Sequence, residues 1–368
     1  MNKVWKVIIG IAVVVLVVVG VTAYNKKNAV PTEKQTIKIG YVAPLTGNVA
    51  FIGTGVKNAA ELALEDLKKK DTKYNYELVF EDDAFDPKRT ATAVNKLVSV
   101  DKVNAFVSVA SSAGGVAGPI AEQDKVVHFS IAGDQTIAKG TYNFLNWTPP
   151  VEEVKLFIAE AQKRGIKKLA VFDQKQSGIT AVIDELKAQL PGTGISIVFE
   201  DISNFGTKDF RTTLTKAKAT DADYYLLVMF SPEIEIVTNQ IRELGITTPL
   251  TAIESFELAD NPKLFEGLWY VNGADPTPAF AAAYTEKYKH DPTIATPNAY
   301  DIVGLIAAAA ETFDGKTVPT EEQLANALLN VKGYDGALGK NLSINPDGLV
   351  ISKAVLRTIK DGKPQTIK

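Results

Sequence analysis

The chain has 368 residues, 46% of them hydrophobic and 23% charged, which is room for two domains of ordinary size. Lys and Arg number 40 against 43 Asp and Glu, a net charge of −3, so there is no basic excess to meet a nucleic-acid backbone. The absence of cysteine excludes disulfides, cysteine–zinc sites, thiol catalysis and a lipidated cysteine, and a triad or histidine metal site would have to use one of only two histidines, His128 and His290.

Lys3 and Lys6 precede an apolar segment from Val7 to Ala23, and Lys26 and Lys27 follow it. That segment is long for a signal-peptide core and close to the minimum for a spanning helix. Residues 1–24 therefore read as a signal peptide cleaved near Val21-Thr22-Ala23, or as a retained membrane anchor. The lysines on its two sides balance, so they do not set its orientation. Residues 25–35 are polar and read as a linker. Either form of the leader places the remaining chain outside the cytoplasm, at the cell surface or in a periplasm.

From Ile37 the pattern alternates strand and helix. Ile37 to Val42 is a strand ending at Pro44-Leu45-Thr46-Gly47, and Gly55 to Lys70 has the apolar spacing of an amphipathic helix. Tyr76 to Phe80 is a strand, and Asp86-Pro87 starts a helix running to about Val100. Ala105 to Ala110 is a strand ending at Ser111-Ser112, with a helix expected from near Gly115. Val126 to Ile131 is a strand ending at Ala132-Gly133-Asp134, and it places His128 among apolar neighbours as a strand residue. Thr148-Pro149-Pro150 breaks the pattern and marks a first crossing.

The second half repeats the scheme. Strands are expected at 168–172, 195–199, 224–230, 250–253 and 268–271, with helices between them. Ala274-Asp275-Pro276-Thr277-Pro278 marks a second crossing, after which helices near 279–288, 297–313 and 321–329 return to the first half. The tail from Tyr334 reads as β-structure. The fold class is α/β, two Rossmann-like lobes with parallel sheets joined by crossing hinge segments. One lobe takes residues 36–148 and 277–332, and the other takes 149–276 and part of 333–368.

At this point the residues resemble a known family, the type I periplasmic solute-binding proteins of ABC transporters, in the branched-chain amino acid (leucine/isoleucine/valine) receptor group. The resemblance is carried by Pro44-Leu45-Thr46-Gly47, Asp83-Ala84-Phe85-Asp86-Pro87, Ser111-Ser112, Asn298-Ala299-Tyr300-Asp301 and Asp335-Gly336-Ala337-Leu338-Gly339. No one of these is specific; their order and spacing together are. The resemblance implies two lobes closing on a small polar ligand, an amino acid or related compound, and handing it to an ABC permease. It implies a monomer with no cofactor, no metal and no catalytic residues.

It also implies a set of ligand-binding positions. Ser111 matches the serine that holds a ligand carboxylate, with Ser112 and the helix amides beside it. Ala132, Gly133 and Asp134 follow the next strand, where the receptors usually carry a hydroxyl at the third position. Asp134 departs from that pattern: an ionised aspartate cannot donate, and it repels a carboxylate. Either it turns away and caps the segment at Gln135, or the ligand is an amine or polyol rather than an ordinary amino acid. Glu254 matches the acid that pairs with a ligand ammonium. Ile52 stands at an aromatic position with Phe51 beside it, Ser177 stands where a tyrosine is common, and Phe230 is placed to pack on the ligand.

Other motifs carry less. Gly53-Thr54-Gly55 is an incomplete dinucleotide fingerprint. Glu81, Asp82, Asp83 and Asp86 lack a calcium-loop pattern and read as a solvated turn. Two rival functions remain, a membrane-tethered sensor using the same lobes and a secreted hydrolase or oxidoreductase, the last without a visible catalytic constellation.

Overall fold

The computed structural model describes residues 33–367. The apolar leader and most of the linker lie outside the described residues. Among those described, no helix is long and apolar enough to cross a membrane.

Two sheets organise the molecule. The first takes β1 (Thr36–Ala43), β2 (Asn75–Asp82), β3 (Ala105–Val109), β4 (Val127–Ile131) and β5 (Asn143–Leu145), in the order β2-β1-β3-β4-β5, all parallel. β3 and β4 are buried along their whole length, as parallel strands covered on both faces must be. The second sheet has the order β14-β13-β10-β9-β8-β6-β7. Its parallel part is β6 (Lys168–Gln174), β7 (Ser196–Ser203), β8 (Tyr224–Val228), β9 (Leu250–Ile253) and β10 (Trp269–Gly273). β13 (Ala354–Lys360) and β14 (Lys363–Thr366) add to its edge antiparallel. β11 (Tyr334–Gly336) and β12 (Gly339–Leu342) form a separate hairpin.

Helices cover the sheets. On the first lie α1 (Ala50–Lys68), α2 (Pro87–Lys96) and α3 (Ser111–Asp124). The second carries α4 (Pro150–Lys163), α5 (Ser177–Gln189), α6 (Arg211–Lys218) and α7 (Glu233–Glu243). The next three, α8 (Pro278–Tyr288), α9 (Thr296–Ala310) and α10 (Glu321–Leu329), return to the first sheet. Ile302 and Ile306 of α9 share one core with Ile39, Val56 and Phe129. The first lobe is thus discontinuous in sequence.

The chain passes between the lobes at Asn146–Pro149 and Ala274–Thr277, where the proline-rich breaks fall, and again near Ile351–Lys353. This third passage has no such sequence mark. It is tied to the others through Val350 N–H to Leu145 O (2.8 Å) and Ala274 N–H to Lys353 O (2.9 Å).

Boundaries differ from the sequence reading in places that have a cause. α1 begins before Gly53 and Gly55 because both glycines lie inside it, where backbones crowd. A Cβ at Gly53 would stand 2.2 Å from Pro44 O, and one at Gly55 would stand 2.5 Å from Thr293 Oγ1. Close packing accounts for the glycine pair without any phosphate. α2 ends at Lys96 and runs on as a π-turn over Leu97–Asp101.

Candidate functional site

The site forms where strand ends of the two sheets face each other, as expected for open parallel sheets. β3 ends at Val109, and Ala110 takes the unusual angles φ 80°, ψ 152° before α3 starts at Ser111. The helix starts a turn earlier than its glycines suggest. Its N-cap is therefore Ala110, which has no side chain to cap with, and the amides of the first turn stay open. Ser111 is buried, and its hydroxyl oxygen accepts the Asp134 N–H at 3.2 Å, leaving its own proton available to a ligand. Hydroxyl and open amides suit a carboxylate.

Asp134 does not line the cleft. Its carboxylate accepts Thr136 N–H (3.0 Å) and Thr136 O–H (2.7 Å), capping the short turn Gln135–Ile137. Of the two roles open to it in the sequence, the geometry shows the capping one. Ala132 and Gly133 do line the cleft.

On the facing lobe, Glu254 follows β9 with a left-handed φ of 62°. Its N–H donates to Val271 O at 2.7 Å, and its Oε1 accepts the Trp147 indole N–H at 2.6 Å. Trp147 belongs to the first passage, so this bond joins hinge to lobe. Burial pushes the Glu254 carboxyl above its ordinary value, opposed by the Trp147 hydrogen bond. Ser255 beside it is occupied, accepting Met229 N–H at 2.9 Å.

Between these poles the lining is apolar, with Ile52, Val109, Ile179, Val182 and Ala295 among its residues. Three phenylalanines close one side. Phe85 of the first lobe meets Phe230 and Phe205 of the second edge-on, with centroids 6.1 and 6.2 Å apart.

Of the sequence-derived positions, Ser111, Ala132, Gly133, Ile52, Phe230 and Glu254 meet in this lining. Ser112 is half-buried one residue beyond it. Ser177 is exposed, and its neighbour Gly178 lines the cleft instead. Phe51 is 36% exposed and faces a neighbouring hollow with Leu258 and Asp260. Sequence reasoning missed Trp147, Gln176, Gly178 and, as a contact, Phe85. Phe85 sat inside a motif already singled out, and Trp147 directly precedes the first break. Gly178 carried no signal of its own: a Cβ there would stand 2.8 Å from Ser111 Oγ, across the cleft.

Ser108, His128 and Asn143 resemble a hydrolytic triad in spacing, with Ser108 Oγ 2.8 Å from His128 Nε2 and His128 Nδ1 2.6 Å from Asn143 Oδ1. All three are buried within the sheet, and none lines the cleft. Burial lowers the His128 pKa to about 4, so the ring is neutral and serves the packing. Among the described residues no group of three or more acids and histidines is placed to hold a metal.

Comparison with known proteins agrees with the fold. A family model described as periplasmic binding protein matches residues 36–364. A leucine-, isoleucine-, valine-, threonine- and alanine-binding protein of Pseudomonas aeruginosa is 30% identical over 80% of this chain and 82% of its own length. A Leu/Ile/Val-binding protein of Rhizobium johnstonii is 28% identical over 84% and 88%. Among solved structures, the branched-chain amino acid substrate-binding protein LivJ of Streptococcus pneumoniae, in complex with isoleucine, has a TM-score of 0.80 at 24% identity, covering 90% of this chain and 98% of that one. A solute-binding protein of Rhodopseudomonas palustris in complex with benzoate has the same TM-score at 17% identity, over 90% and 95%. At these identities the solved structures show a shared fold.

Proposed function

Because this chain belongs to the periplasmic binding protein family, we propose that it captures an α-amino acid with an apolar side chain and presents the closed form to an ABC permease. One observation carries the ligand class: the cleft holds an uncapped helix start with Ser111 at one pole, a lone carboxylate, Glu254, at the other, and an apolar lining between them. A zwitterion with an apolar body complements all three. The ligand carboxylate takes the Ser111 hydroxyl and the α3 amides. Its ammonium neutralises Glu254, a half-buried charge that no lysine or arginine in the lining meets. The side chain packs on Phe85, Phe230 and Ile179.

The chemistry is binding without bond-making, with capture by hinge closure about the three passages. The names of the Pseudomonas and Rhizobium relatives support an aliphatic amino acid. The capping role of Asp134 weighs against an amine or polyol, since only Glu254 then faces the ligand as an acid. The apolar segment Val7 to Ala23 supports a place outside the cytoplasm, by export or by tethering.

A thermal-shift series tests this. A ligand at a hundred times its dissociation constant adds about 2.7 kcal/mol of stability. L-leucine, L-isoleucine and L-valine are expected to raise the melting temperature, and putrescine, polyols and benzoate are not. Shifts confined to those three controls would overturn the amino acid assignment.

A further inference from the structure

Behind Glu254 lies a second acid that amino acid capture does not by itself require. Glu153 occupies the first turn of α4, just after Pro150. It is fully buried, and neither of its side-chain oxygens receives a hydrogen bond from a donor group. It lies within hydrogen-bond reach of Glu254. Two ionised carboxylates in such contact repel one another and neither can donate.

Among the described residues no cation resolves the conflict. On α4 itself, Glu152 and Lys155 are exposed. On α5, which packs against α4, Asp184 is exposed, Glu185 accepts from Gln189, and Lys187 pairs with Glu200 at 2.6 Å. On β13, Arg357 is held by Glu257 and Asp275. Tyr270 of β10 donates to Glu257 at 2.9 Å. The nearest charged groups beyond Glu254 thus add only the negative field of Glu257.

We propose that Glu153 is a positioning residue for the ligand's cationic group: it stays protonated and donates its hydrogen to Glu254, fixing that carboxylate in its ionised form. The proposal rests on Glu254 being the partner of the ligand ammonium. Glu254 then receives two hydrogen bonds, from Trp147 and from Glu153, and keeps lone pairs for the ligand. The pair carries one negative charge, which matches one ammonium and not two. Burial also drives the Glu153 carboxyl well above its ordinary value, so it is the acid that keeps the proton.

The test uses the full chain, L-leucine as probe and two variants. Glu153→Gln offers an uncharged N–H donor of nearly the same shape, and its dissociation constant is expected within about threefold of the parent. Glu153→Leu offers no donor, and a lost hydrogen bond to a charged group weakens binding about tenfold or more. Tenfold weakening by Glu153→Gln would show that Glu153 carries charge, and parental affinity in Glu153→Leu would show that it only fills space. Either result overturns the proposal. Infrared spectra of the ligand-free protein at neutral pH give a readout independent of the probe: a protonated-carboxyl stretch present in the parent and removed by Glu153→Gln. Its absence overturns the proposal whatever binds. If the band is present and L-leucine does not bind, the protonated pair stands and the amino acid assignment alone falls.

Discussion

Glu254→Gln removes the acid that lines the cleft and preserves its shape, so it separates two effects of opposite sign. A hydrogen bond to a charged group contributes about 1.5–3 kcal/mol, and its loss should weaken L-leucine binding about tenfold to 150-fold. The ligand-free protein should respond the other way. Glu254 is enclosed beside Glu153, and burial raises its carboxyl above the ordinary 4.5. A carboxyl whose folded pKa lies above its unfolded one costs stability as pH rises through that window, because the folded state then binds more protons. The amide escapes that cost and still accepts the Trp147 N–H. Each kcal/mol recovered raises the melting temperature by about 2 °C. The gain should be present at pH 7 and vanish below pH 4, where the acid is protonated in both states. Calorimetric titration and melting of the ligand-free protein give both numbers. Unchanged affinity would remove Glu254 from the site, and a lower melting temperature at pH 7 would refute the burial argument.

Gly178→Val places a Cβ 2.8 Å from Ser111 Oγ, a wedge between the lobes. L-leucine affinity should fall at least about tenfold while ligand-free stability stays within about 1 kcal/mol, and parental affinity would mean that the lobes do not approach this closely when ligand binds. In a His290→Gln background, NMR should find the remaining imidazole, His128, titrating near 4. A midpoint near the ordinary 6.5 would refute its burial as a neutral ring. Because the folded value is depressed, the stability it confers is whole above about pH 6.5 and falls away toward pH 4, by roughly 3 kcal/mol. Ala110 holds φ 80°, ψ 152°, a region that glycine alone adopts without cost. Ala110→Gly should therefore stabilise the protein by about 1 kcal/mol, against glycine's usual penalty, and a lower melting temperature would show that the strain is absent.

The alternation of strands and helices was legible because parallel strands buried on both faces read as apolar runs, as in Ala105–Val109 and Val127–Ile131. The first two passages were legible because proline breaks the pattern there. The third was not, since Ile351–Lys353 holds neither proline nor glycine and its place is set by hydrogen bonds to β5 and Ala274. Ser111 and Glu254 were singled out by the family resemblance at two strand ends, and both do line the cleft. Trp147 and Gly178 could not. Their roles depend on how the two lobes meet, and neither residue type marks a ligand contact in a single sequence. Asp134 stayed ambiguous for a similar reason: the same carboxylate can face a ligand or cap a turn, and only Thr136, two residues on, decides it.

Four non-glycine residues with left-handed φ line the cleft: Phe85, Ala110, Glu254 and Ala295. Such conformations cost on the order of 1–3 kcal/mol each and persist where surrounding structure enforces them. Ala110 and Glu254 directly follow β3 and β9, strands buried along their whole length that cannot shift without opening a core. The strain aims groups that would otherwise relax: the open amides of α3, the Glu254 carboxylate and the Phe85 ring. Contacts between the lobes include Trp147 to Glu254, Phe85 to Phe205 and Phe230, Ser111 beside Gly178, and an exposed ion pair of Lys363 with Asp291. A hydrogen bond or an aromatic pair of this kind contributes about 1 kcal/mol net. Rigid walls with weak mutual contacts make an equilibrium that a ligand can tip by a few kcal/mol, provided it touches both walls at once. A carboxylate alone would engage α3 and leave Glu254 unpaired, and an amine alone would do the reverse. Under the proposed assignment of Ser111 and Glu254, only a molecule carrying both groups would gain enough in the closed form, so that closure itself would select an amino acid.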